Sequence, residues 1–541
     1  MNARTRWLVS AILISVVCPA WAIVCPPGVG LHTVGPHGRF RTMNEALRAI
    51  GGCIASQNII FLERGVHRES LSLEFSAGDL TIAGGWSPTT NSSAPYDTQW
   101  RAPPDGGRVL SVRLSGLARF TLRDIALMDG WDLREGAGIY ADLDNQSQMS
   151  LINTWLSYNE VATVTADQWV STGRGGGMSA HLRQSARLGL DTVLAQYNAI
   201  ANAASAHGVG IAITSYSPYT QASLNRVTAF ANGGYAPGAP GVKANECRGA
   251  GVDLVIDDAS PPRTFLHEGR YLDADTHEPM YLADHRLVVR SSTFESNYCF
   301  GWQWPDGVGL SATVNGTGTE ITDPKNQLEG YFGANILFEA NTLAGNYEWG
   351  GNDQDAQLLM LTTRHKDRLL ARNNLFDGRG GSNAAARLYH SGLAPEGIPL
   401  VVQSTIKFIG NTVVRHLRRP LLMTGVATTL HDSIAYPLYV VRNNLITHAA
   451  EIGPQTIDDV LSNTAFFRPA PGSVPAVELH PNCVLANPLF VDPANGDYRL
   501  LNTSPVVDAG AVLSTEEMGV FDRWGRTRVR GPAPDCGAHE L

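Results

Sequence analysis

The sequence predicts an all-β fold made of repeated coils that stack on one another, and three observations support this. A phrase of Gly-x-Gly followed by alternating apolar residues occurs five times. Each copy is followed by a short apolar strand that ends in Asn. The chain also holds 55 Gly and 30 Pro with 17% charged residues, a composition that favours strands and turns over helices. Glycine pairs before a period-2 pattern are typical of a tight corner leading into a strand, and such repetition indicates stacking.

The spacing of these phrases identifies regular and enlarged units. The first glycines are Gly136, Gly175, Gly208, Gly249 and Gly307, and the matching asparagines are Asn159, Asn198, Asn232, Asn297 and Asn346. The distances between them are 23, 23, 24, 48 and 39 residues. The fourth unit is therefore enlarged, across 256–285, and the fifth within 315–333. We expect these two loops to project along one side of the solenoid.

The repeated asparagines are interpreted as structural residues. An Asn side chain can bond the backbone of the neighbouring coil at a left-handed corner. Further strands with this pattern occur at 370–376, 406–414 and 440–446. A propeller or a string of sandwiches would instead show regular hairpin spacing and Asn-Gly turns, which are sparse here.

The N-terminal 22 residues have the pattern of a secretion signal. Arg4 and Arg6 precede an apolar run over 7–18, and a small-x-small site follows at 20–22. The run is shorter than the roughly 20 residues needed to span a bilayer, and no later stretch approaches that length. We therefore expect cleavage of residues 1–22 and a secreted or periplasmic protein without a transmembrane segment. The net charge of −9 offers no basic surface for nucleic acid.

Six cysteines remain once the signal is removed, and an even number in an exported chain favours disulfides over metal binding. Six cysteines allow 15 pairings, and their clustering along the chain favours three of the possible bonds. These are Cys25 with Cys53, Cys247 with Cys299, and Cys483 with Cys536.

A short helix is predicted near the N-terminus. Thr42 and Glu45 have the spacing of a capping box, and Met43, Ala46, Leu47 and Ile50 share one helical face before a Gly-Gly stop. Such a helix would cover the open apolar end of the first coil.

The segments RFRTMNEAL at 39–47 and IFLERGVHRE at 60–69 resemble the start of the pectin-lyase-like superfamily. In that superfamily a capping helix precedes a strand and a Gly-x-Tyr-x-Glu-like turn, and His67 stands here in the Tyr place. The resemblance implies a right-handed parallel β-helix, which we assign to residues 23–480.

The last residues resemble the closing segment of bacterial surface β-helix proteins called choice-of-anchor proteins. The matching elements occur in order as NPLFVDP at 487–493, GDYRL at 496–500, SPVVDAG at 504–510, DRWGR at 522–526 and DCGAHE at 535–540. We assign 481–541 to this segment. An anchoring tail often follows it in that family, and since none follows here we expect release or periplasmic residence.

The superfamily includes lyases, hydrolases, methylesterases, tailspikes and adhesins, so the fold alone does not select a function. Asp273 and Asp275 alternate in the enlarged fourth unit and could bind calcium, the alternative being a solvated loop. Lys366 and Arg368 are candidate catalytic cations for lyase chemistry on a uronic acid, the alternative being an exposed charged face.

Aromatic residues beside the enlarged units predict a carbohydrate-binding surface, the alternative being packing within the fold. They are Trp302, Trp304, Tyr347 and Trp349, with Tyr298 nearby. The leading hypothesis is thus an exported protein that contacts polysaccharide or a cell-surface glycan, with catalysis open. The alternative is a polysaccharide lyase acting on acidic glycans. Hydrolase and methylesterase functions rank lower because their carboxylate motifs are not present as a set.

Overall fold

The protein is described by a computed structural model. It describes residues 29–51, 57–91, 94–162, 172–217, 219–235, 246–257, 263–267, 270–273, 286–300, 304–315, 330–331, 334–349, 356–362, 367–379, 384–390, 405–415, 421–425, 428–430, 433–435, 438–447, 453–454, 461–462, 465–467 and 484–541.

Four parallel sheets form the walls of the molecule. Sheet 1 has the strands Val29–Val34, Gln57–Glu63, Gly65–Arg68, Asp79–Trp86, Thr98–Arg101, Arg119–Met128, Gln148–Ser157, Arg187–Gln196, Gln221–Asn225, Thr228–Phe230, Leu287–Arg290, Thr293–Glu295, Asn335–Glu339, Thr342–Ala344, Arg368–Arg372, Leu375–Asp377, Thr405–Ile409, Thr412–Val414, Leu438–Arg442, Leu445–Thr447, Leu461–Ser462, Ala465–Phe467 and Val484–Leu485. Sheet 2 has Leu71–Phe75, Leu110–Leu114, Ile139–Leu143, Met178–Leu182, Ile211–Ser215, Val252–Asp257, Leu310–Asn315, Ala356–Thr362, Ala384–His390, Leu421–Gly425 and Gly453–Pro454.

The other two sheets are shorter. Sheet 3 has Trp131–Asp132, Glu160–Ala162, Ala199–Ala201, Gly233–Tyr235, Tyr298–Phe300 and Tyr347–Trp349. Sheet 4 has Gly173–Arg174, Ser205–His207, Glu246–Arg248 and Trp304–Asp306. Antiparallel pairs occur at Thr428–Leu430 with Ser433–Ala435 and at Phe490–Asp492 with Asp497–Leu500.

Each regular coil visits the four sheets in turn. One coil runs from Met178–Leu182 in sheet 2 through Arg187–Gln196 in sheet 1 and Ala199–Ala201 in sheet 3 to Ser205–His207 in sheet 4. The next coil begins at Ile211–Ser215, which pairs in parallel register with Met178–Leu182. The predicted right-handed parallel β-helix is therefore confirmed.

Inward-facing apolar side chains form one long core between sheets 1 and 2 and a smaller core between sheets 3 and 4. The predicted disulfide between Cys247 and Cys299 is confirmed, and it lies in this smaller core. Cys25, Cys53 and Cys483 lie outside the described residues. Cys536 is buried, and its pairing with Cys483 stays a prediction.

The predicted N-terminal helix is confirmed over Met43–Ile50, with both halves of the capping box formed between Thr42 and Glu45. Met43, Ala46 and Ile50 are buried in the long core, as expected for a cap. A second short helix is Thr515–Met518, and single 3₁₀ turns occur at Pro95–Asp97 and Pro493–Asn495. Among the described residues, no helix has the length and apolarity to cross a bilayer.

The repeated asparagines form a continuous buried ladder. The Asn232 Oδ1 accepts from both the backbone N–H (3.2 Å) and the Nδ2 (2.9 Å) of Asn198. The Nδ2 of Asn232 in turn donates to Ala195 O and to Asn297 Oδ1, both at 2.9 Å. The same bonds recur from Asn159 to Asn346. The residue before each Asn is left-handed, such as Tyr197 with φ 53°, so the predicted left-handed corner beside the asparagines is confirmed.

A second ladder occupies the break within sheet 1. It joins Asn341, Asn374, Asn411 and Asn444 through the same pair of bonds to each Oδ1. The asparagine strands predicted at 370–376, 406–414 and 440–446 belong to this ladder.

The Gly-x-Gly phrases and the asparagine ladder pack directly against each other. The first glycine turns the corner with φ between 54° and 60°. The second glycine lies against the ladder, because a Cβ on Gly210 would lie 2.5 Å from Gly251 O and 3.0 Å from Asn232 Nδ2. Gly138, Gly177 and Gly251 have equivalent neighbours. No side chain fits at these positions, which explains why the two phrases recur together.

The enlarged loops of units four and five meet in a small antiparallel sheet. Arg263–His267 pairs with Arg270–Asp273 of the same loop and with Gly330–Tyr331 of the next loop. The two loops therefore project from the same side, as the sequence predicts.

The C-terminal segment packs on the outer face of sheet 1. Asn443 Nδ2 donates to Ala511 O at 2.7 Å, and Asn373 Nδ2 donates to Met518 O at 2.7 Å. Ala538 N donates to the Thr412 hydroxyl at 2.8 Å. A small apolar cluster joins this segment to the β-helix, and it is formed by Leu445, Leu500, Val506 and Cys536.

This segment encloses a buried ionic network. Arg528 is fully enclosed and donates to Gly537 O at 2.7 Å, with Glu540 at 3.5 Å. Burial raises the pKa of Glu540 to about 7. Burial, together with nearby arginines, lowers the pKa of His539 to about 4, and its Nδ1 accepts from Leu500 N–H at 3.1 Å.

We predict that Gly210→Ala lowers the free energy of unfolding by about 3 kcal/mol, because the new methyl overlaps the next coil. Gly189→Ala is the matched control, since its Cβ would meet only Ser150 Oγ at 3.7 Å. The midpoint of urea unfolding, followed by circular dichroism, should fall for Gly210→Ala alone. Equal midpoints for the two variants would contradict the close contact.

We also predict a pH-dependent contribution from His539. Its folded pKa lies below the unfolded value, so between pH 6.5 and 4 the unfolded state binds more protons and stability falls as pH falls. The difference in unfolding free energy between wild type and His539→Gln should shrink by about 3 kcal/mol over this window. Urea titrations of both proteins at several pH values measure it, and a constant difference would show that His539 is not titrating there.

Candidate functional site

The structure describes only part of the predicted metal and catalytic set. Asp275 and Lys366 lie outside the described residues. Asp273 ends the loop strand Arg270–Asp273, whereas Arg368 is exposed at the start of a sheet 1 strand, so the two lie in different sheets. In the described part of the chain, no group of three or more metal-binding side chains is assembled.

The predicted aromatic set falls largely on sheet 3 and its neighbour. Tyr347 and Trp349 bound the last strand of sheet 3, and Trp304 begins the last strand of sheet 4. Trp302 lies outside the described residues. The structure adds two aromatic residues of sheet 3 that were not predicted from the sequence, Tyr235 and Phe300.

We call the outward-facing residues Tyr235, Tyr298, Phe300 and Tyr347 of sheet 3 the aromatic surface. They point outward because the residues between them, Gly234 and Cys299, are buried. Tyr298 and Tyr347 stack at 5.7 Å, and Tyr235 meets Tyr298 edge-on at 5.6 Å with their hydroxyls in contact. The exposed fractions are 38% for Tyr235 and 48% for Phe300.

A glycine positions this surface. A Cβ on Gly233 would lie 2.3 Å from the Tyr298 ring, so the ring lies directly over the Gly233 backbone. Burial and the Tyr235 hydroxyl raise the pKa of Tyr298, which therefore stays a neutral phenol. The surface thus presents uncharged rings.

A second aromatic group lies at the corner between sheets 1 and 3. Tyr158 and Tyr197 stack at 5.2 Å, and Phe230 meets Tyr197 edge-on at 5.7 Å. Tyr158 and Tyr197 are exposed and occupy the left-handed position before the ladder asparagines. The aromatic residues thereby extend over successive coils.

A separate group of polar side chains lies on the outer face of sheet 2. We call Glu135, Ser179, His181 and Tyr216 the polar cluster. Ser179 Oγ donates to Glu135 Oε2 at 2.9 Å, and His181 Nε2 lies 2.8 Å from the same oxygen. His181 Nδ1 lies 3.1 Å from the Tyr216 hydroxyl. Since ionised Glu135 can only accept, His181 Nε2 donates to it, and in the neutral imidazole Nδ1 is then the acceptor that faces the Tyr216 hydroxyl.

Charges around the polar cluster set its ionisation. Burial would raise the pKa of Glu135, but the hydrogen bonds from His181 and Ser179 and the charge of Arg108 hold it below its usual range. Burial raises the pKa of Tyr216, while Arg174 and Arg183 oppose that rise. Glu135 is therefore a carboxylate and Tyr216 a phenol at neutral pH.

Beside this cluster lies a largely buried ionic network at the corner between sheets 4 and 2. Arg248 Nε donates to Asp253 Oδ1 at 3.1 Å, and Arg248 Nη2 lies 2.9 Å from His207 Nδ1. Burial would raise the pKa of Asp253, but Arg248 and His207 lower it to about 2. Arg248 and His207 also pair with Glu246, at 3.4 Å and 3.8 Å, so each charge of the network has a partner of opposite sign.

Neither the polar cluster nor this ionic network is among the sites predicted from the sequence, although a signal is present. The residues immediately before the five Gly-x-Gly phrases are Glu135, Arg174, His207, Arg248 and Asp306. Because the phrase fixes the register of every coil, these residues form one column along the corner between sheets 4 and 2. A charged position in constant register with a structural motif marks such a column.

Comparisons with known proteins identify no family for this chain. No protein-family model matches it, and no curated protein matches it. Among solved structures it is similar to a pectin methylesterase from Aspergillus niger in a penultimately deglycosylated form, at 15% identity over 57% of this chain and 91% of that chain, with a TM-score of 0.22. The deglycosylated form of the same enzyme gives 15% identity over the same shares and a TM-score of 0.20. These values carry no statement about activity.

Proposed function

We propose that this chain is an exported β-helix protein that binds polysaccharide at its aromatic surface. The observation that carries the proposal is the placement of Tyr235, Tyr298, Phe300 and Tyr347 on one outward face across three coils. Flat, partly exposed rings stack on the apolar faces of sugar rings, and they do so without charge. An extended glycan can follow such a face from coil to coil.

The neighbouring coil leaves room for a ligand. Ala199 and Ala201 stand in register with Gly233 and Tyr235, so a surface of small residues borders the aromatic surface. A sugar bound there would lie on the small residues with the Tyr235 ring beside it. This shape is consistent with a shallow carbohydrate groove.

A disulfide bond supports export of the protein. The Cys247–Cys299 disulfide is buried between sheets 3 and 4, and disulfides persist mainly in oxidising compartments. Together with the predicted signal sequence, this favours a secreted or periplasmic protein that could meet cell-surface glycans.

The proposal predicts that Tyr235→Ala with Phe300→Ala weakens glycan binding about tenfold, since each lost ring contact is worth about 0.5–1.5 kcal/mol. Uncharged hexasaccharides of β-1,4-linked glucose and of β-1,4-linked mannose serve as probes in titration calorimetry. Tyr96→Ala with Phe521→Ala, which removes two exposed rings elsewhere, is the control and should bind as wild type. If wild type binds none of the probes, or if the two double variants bind equally, the proposal fails.

The polar cluster favours a second candidate function, a lyase acting on acidic glycans. Glu135, His181 and Tyr216 form a carboxylate–imidazole–phenol relay, the arrangement that activates a hydroxyl as an acid and base. Arg174 and Arg183 supply positive charge near the Tyr216 phenol, which suits a uronic acid carboxylate.

The elimination would proceed with a single acid–base residue. Tyr216 Oη takes the proton from the carbon next to the sugar carboxylate as its own proton passes to His181 Nδ1. The C–H electron pair forms the new C=C bond, and the glycosidic C–O bond breaks. Tyr216 then gives the abstracted proton to the departing oxygen and regains its own from His181, while Glu135 stabilises the transient imidazolium.

The lyase candidate predicts unsaturated uronate from polygalacturonate or alginate, followed by ultraviolet absorbance. Tyr216→Phe should lower the rate by at least about a hundredfold, because the acid–base hydroxyl is lost. Tyr219→Phe, in the same turn, should retain the wild-type rate. Absence of product from wild type on both polymers would exclude this function, as would full activity of Tyr216→Phe.

A further inference from the structure

An open cavity lies at the corner between sheets 2 and 1, away from the aromatic surface. It has a volume of 390 Å³ and is lined by Leu117, Arg119, Gln146, Gln148, Ser185 and Arg187. We call it the arginine groove. Its lining includes two cations, three further polar side chains and one apolar side chain, and no carboxylate.

The groove runs parallel to the axis of the helix. Arg119, Gln148 and Arg187 stand in direct register on three consecutive strands of sheet 1. Adjacent parallel strands are about 4.8 Å apart, so the two arginines are roughly 10 Å apart with Gln148 between them. Leu117, Gln146 and Ser185, from the turns that precede these strands, form the second wall.

The polar groups of the groove are not occupied by their described neighbours. Arg119 and Arg187 are exposed, and within the described ranges neither guanidinium forms an ion pair or a hydrogen bond. Other arginines on the same sheet differ, because Arg123 pairs with Asp124 at 2.8 Å and Arg226 with Asp191 at 2.8 Å.

The two ends of the groove differ in charge. Asp79 stands in register one strand before Arg119, so a carboxylate borders the N-terminal end of the groove. Gln221 follows Arg187 in the same register and continues the polar row. An anionic ligand is therefore repelled at one end and can extend along the other.

From this geometry we propose that the arginine groove binds an acidic polysaccharide, with carboxylate or sulfate groups on Arg119 and Arg187 and sugar hydroxyls on the glutamine amides. Guanidinium groups bind both anions through paired N–H donors. A glycan lying along the axis would advance about one sugar residue per coil, so its charges on alternate residues would meet both arginines. The proposal is independent of the aromatic surface, because the two sites use different sheets.

The test measures affinity for polygalacturonate, dextran sulfate and uncharged dextran by titration calorimetry at low and at moderate salt. Arg119→Gln with Arg187→Gln should weaken binding of at least one anionic polymer by tenfold or more. Arg123→Gln with Arg226→Gln removes the same charge from the same sheet and should change affinity less than twofold. Wild-type affinity should fall as salt rises, because the contacts are exposed ion pairs.

The two anionic polymers distinguish the two possible kinds of anionic group. Loss on polygalacturonate identifies a carboxylate ligand, and loss on dextran sulfate identifies a sulfate ligand. No binding of either anionic polymer, equal binding of uncharged dextran, or equal loss in both double variants overturns the proposal. The Tyr235→Ala, Phe300→Ala protein should keep its affinity for the anionic polymers, so failure of the aromatic site and failure of the groove are distinguishable.

Discussion

The contact between the asparagine ladder and the second glycine of each Gly-x-Gly phrase is the constraint on which the structure depends. Each ladder asparagine uses its amide in bonds to neighbouring coils, so this buried polar group is paired at the corner. The glycine opposite lets the next coil approach the amide closely, with no room for a methyl. Together these contacts fix the distance and the register between coils.

Fixed register explains how surfaces form on this fold. When every coil begins at the same glycine and turns at the same asparagine, a given position returns directly above itself in the next coil. Outward positions are free of packing demands, so a column of them can acquire a common chemistry. The aromatic surface, the charged column before the glycines and the arginine groove all arise in this way, on three different corners or faces.

The fold was predictable because the residues that make the glycine–asparagine contact recur in the sequence as short repeated phrases. The capping box at Thr42 and Glu45 and the Cys247–Cys299 bond were predictable from local spacing and clustering. The left-handed corner was predictable as well, but the residue that adopts this conformation, such as Tyr197 before Asn198, could not be identified from the repeated phrases. The fold places that strain on the residue before the ladder so that the amide can point inward.

The candidate sites were less predictable, for a physical reason. Glu135, His181 and Tyr216 are separated by whole coils in the sequence and meet only through stacking. Which of these residues meet across neighbouring coils cannot be derived from the sequence unless the lengths of the intervening loops are known. Tyr347 was predictable because it lies beside an enlarged unit, whereas Tyr235 belongs to a coil of regular length that nothing in the sequence distinguishes.

Hydrogen–deuterium exchange at the ladder amides tests the central claim most directly. The backbone N–H groups of Asn159, Asn198 and Asn232 each donate to a buried Oδ1 of the next coil. If the ladder holds the coils together, these amides should exchange only through global unfolding and rank among the slowest in the chain. Exchange at these amides as fast as in the exposed turns would contradict the account.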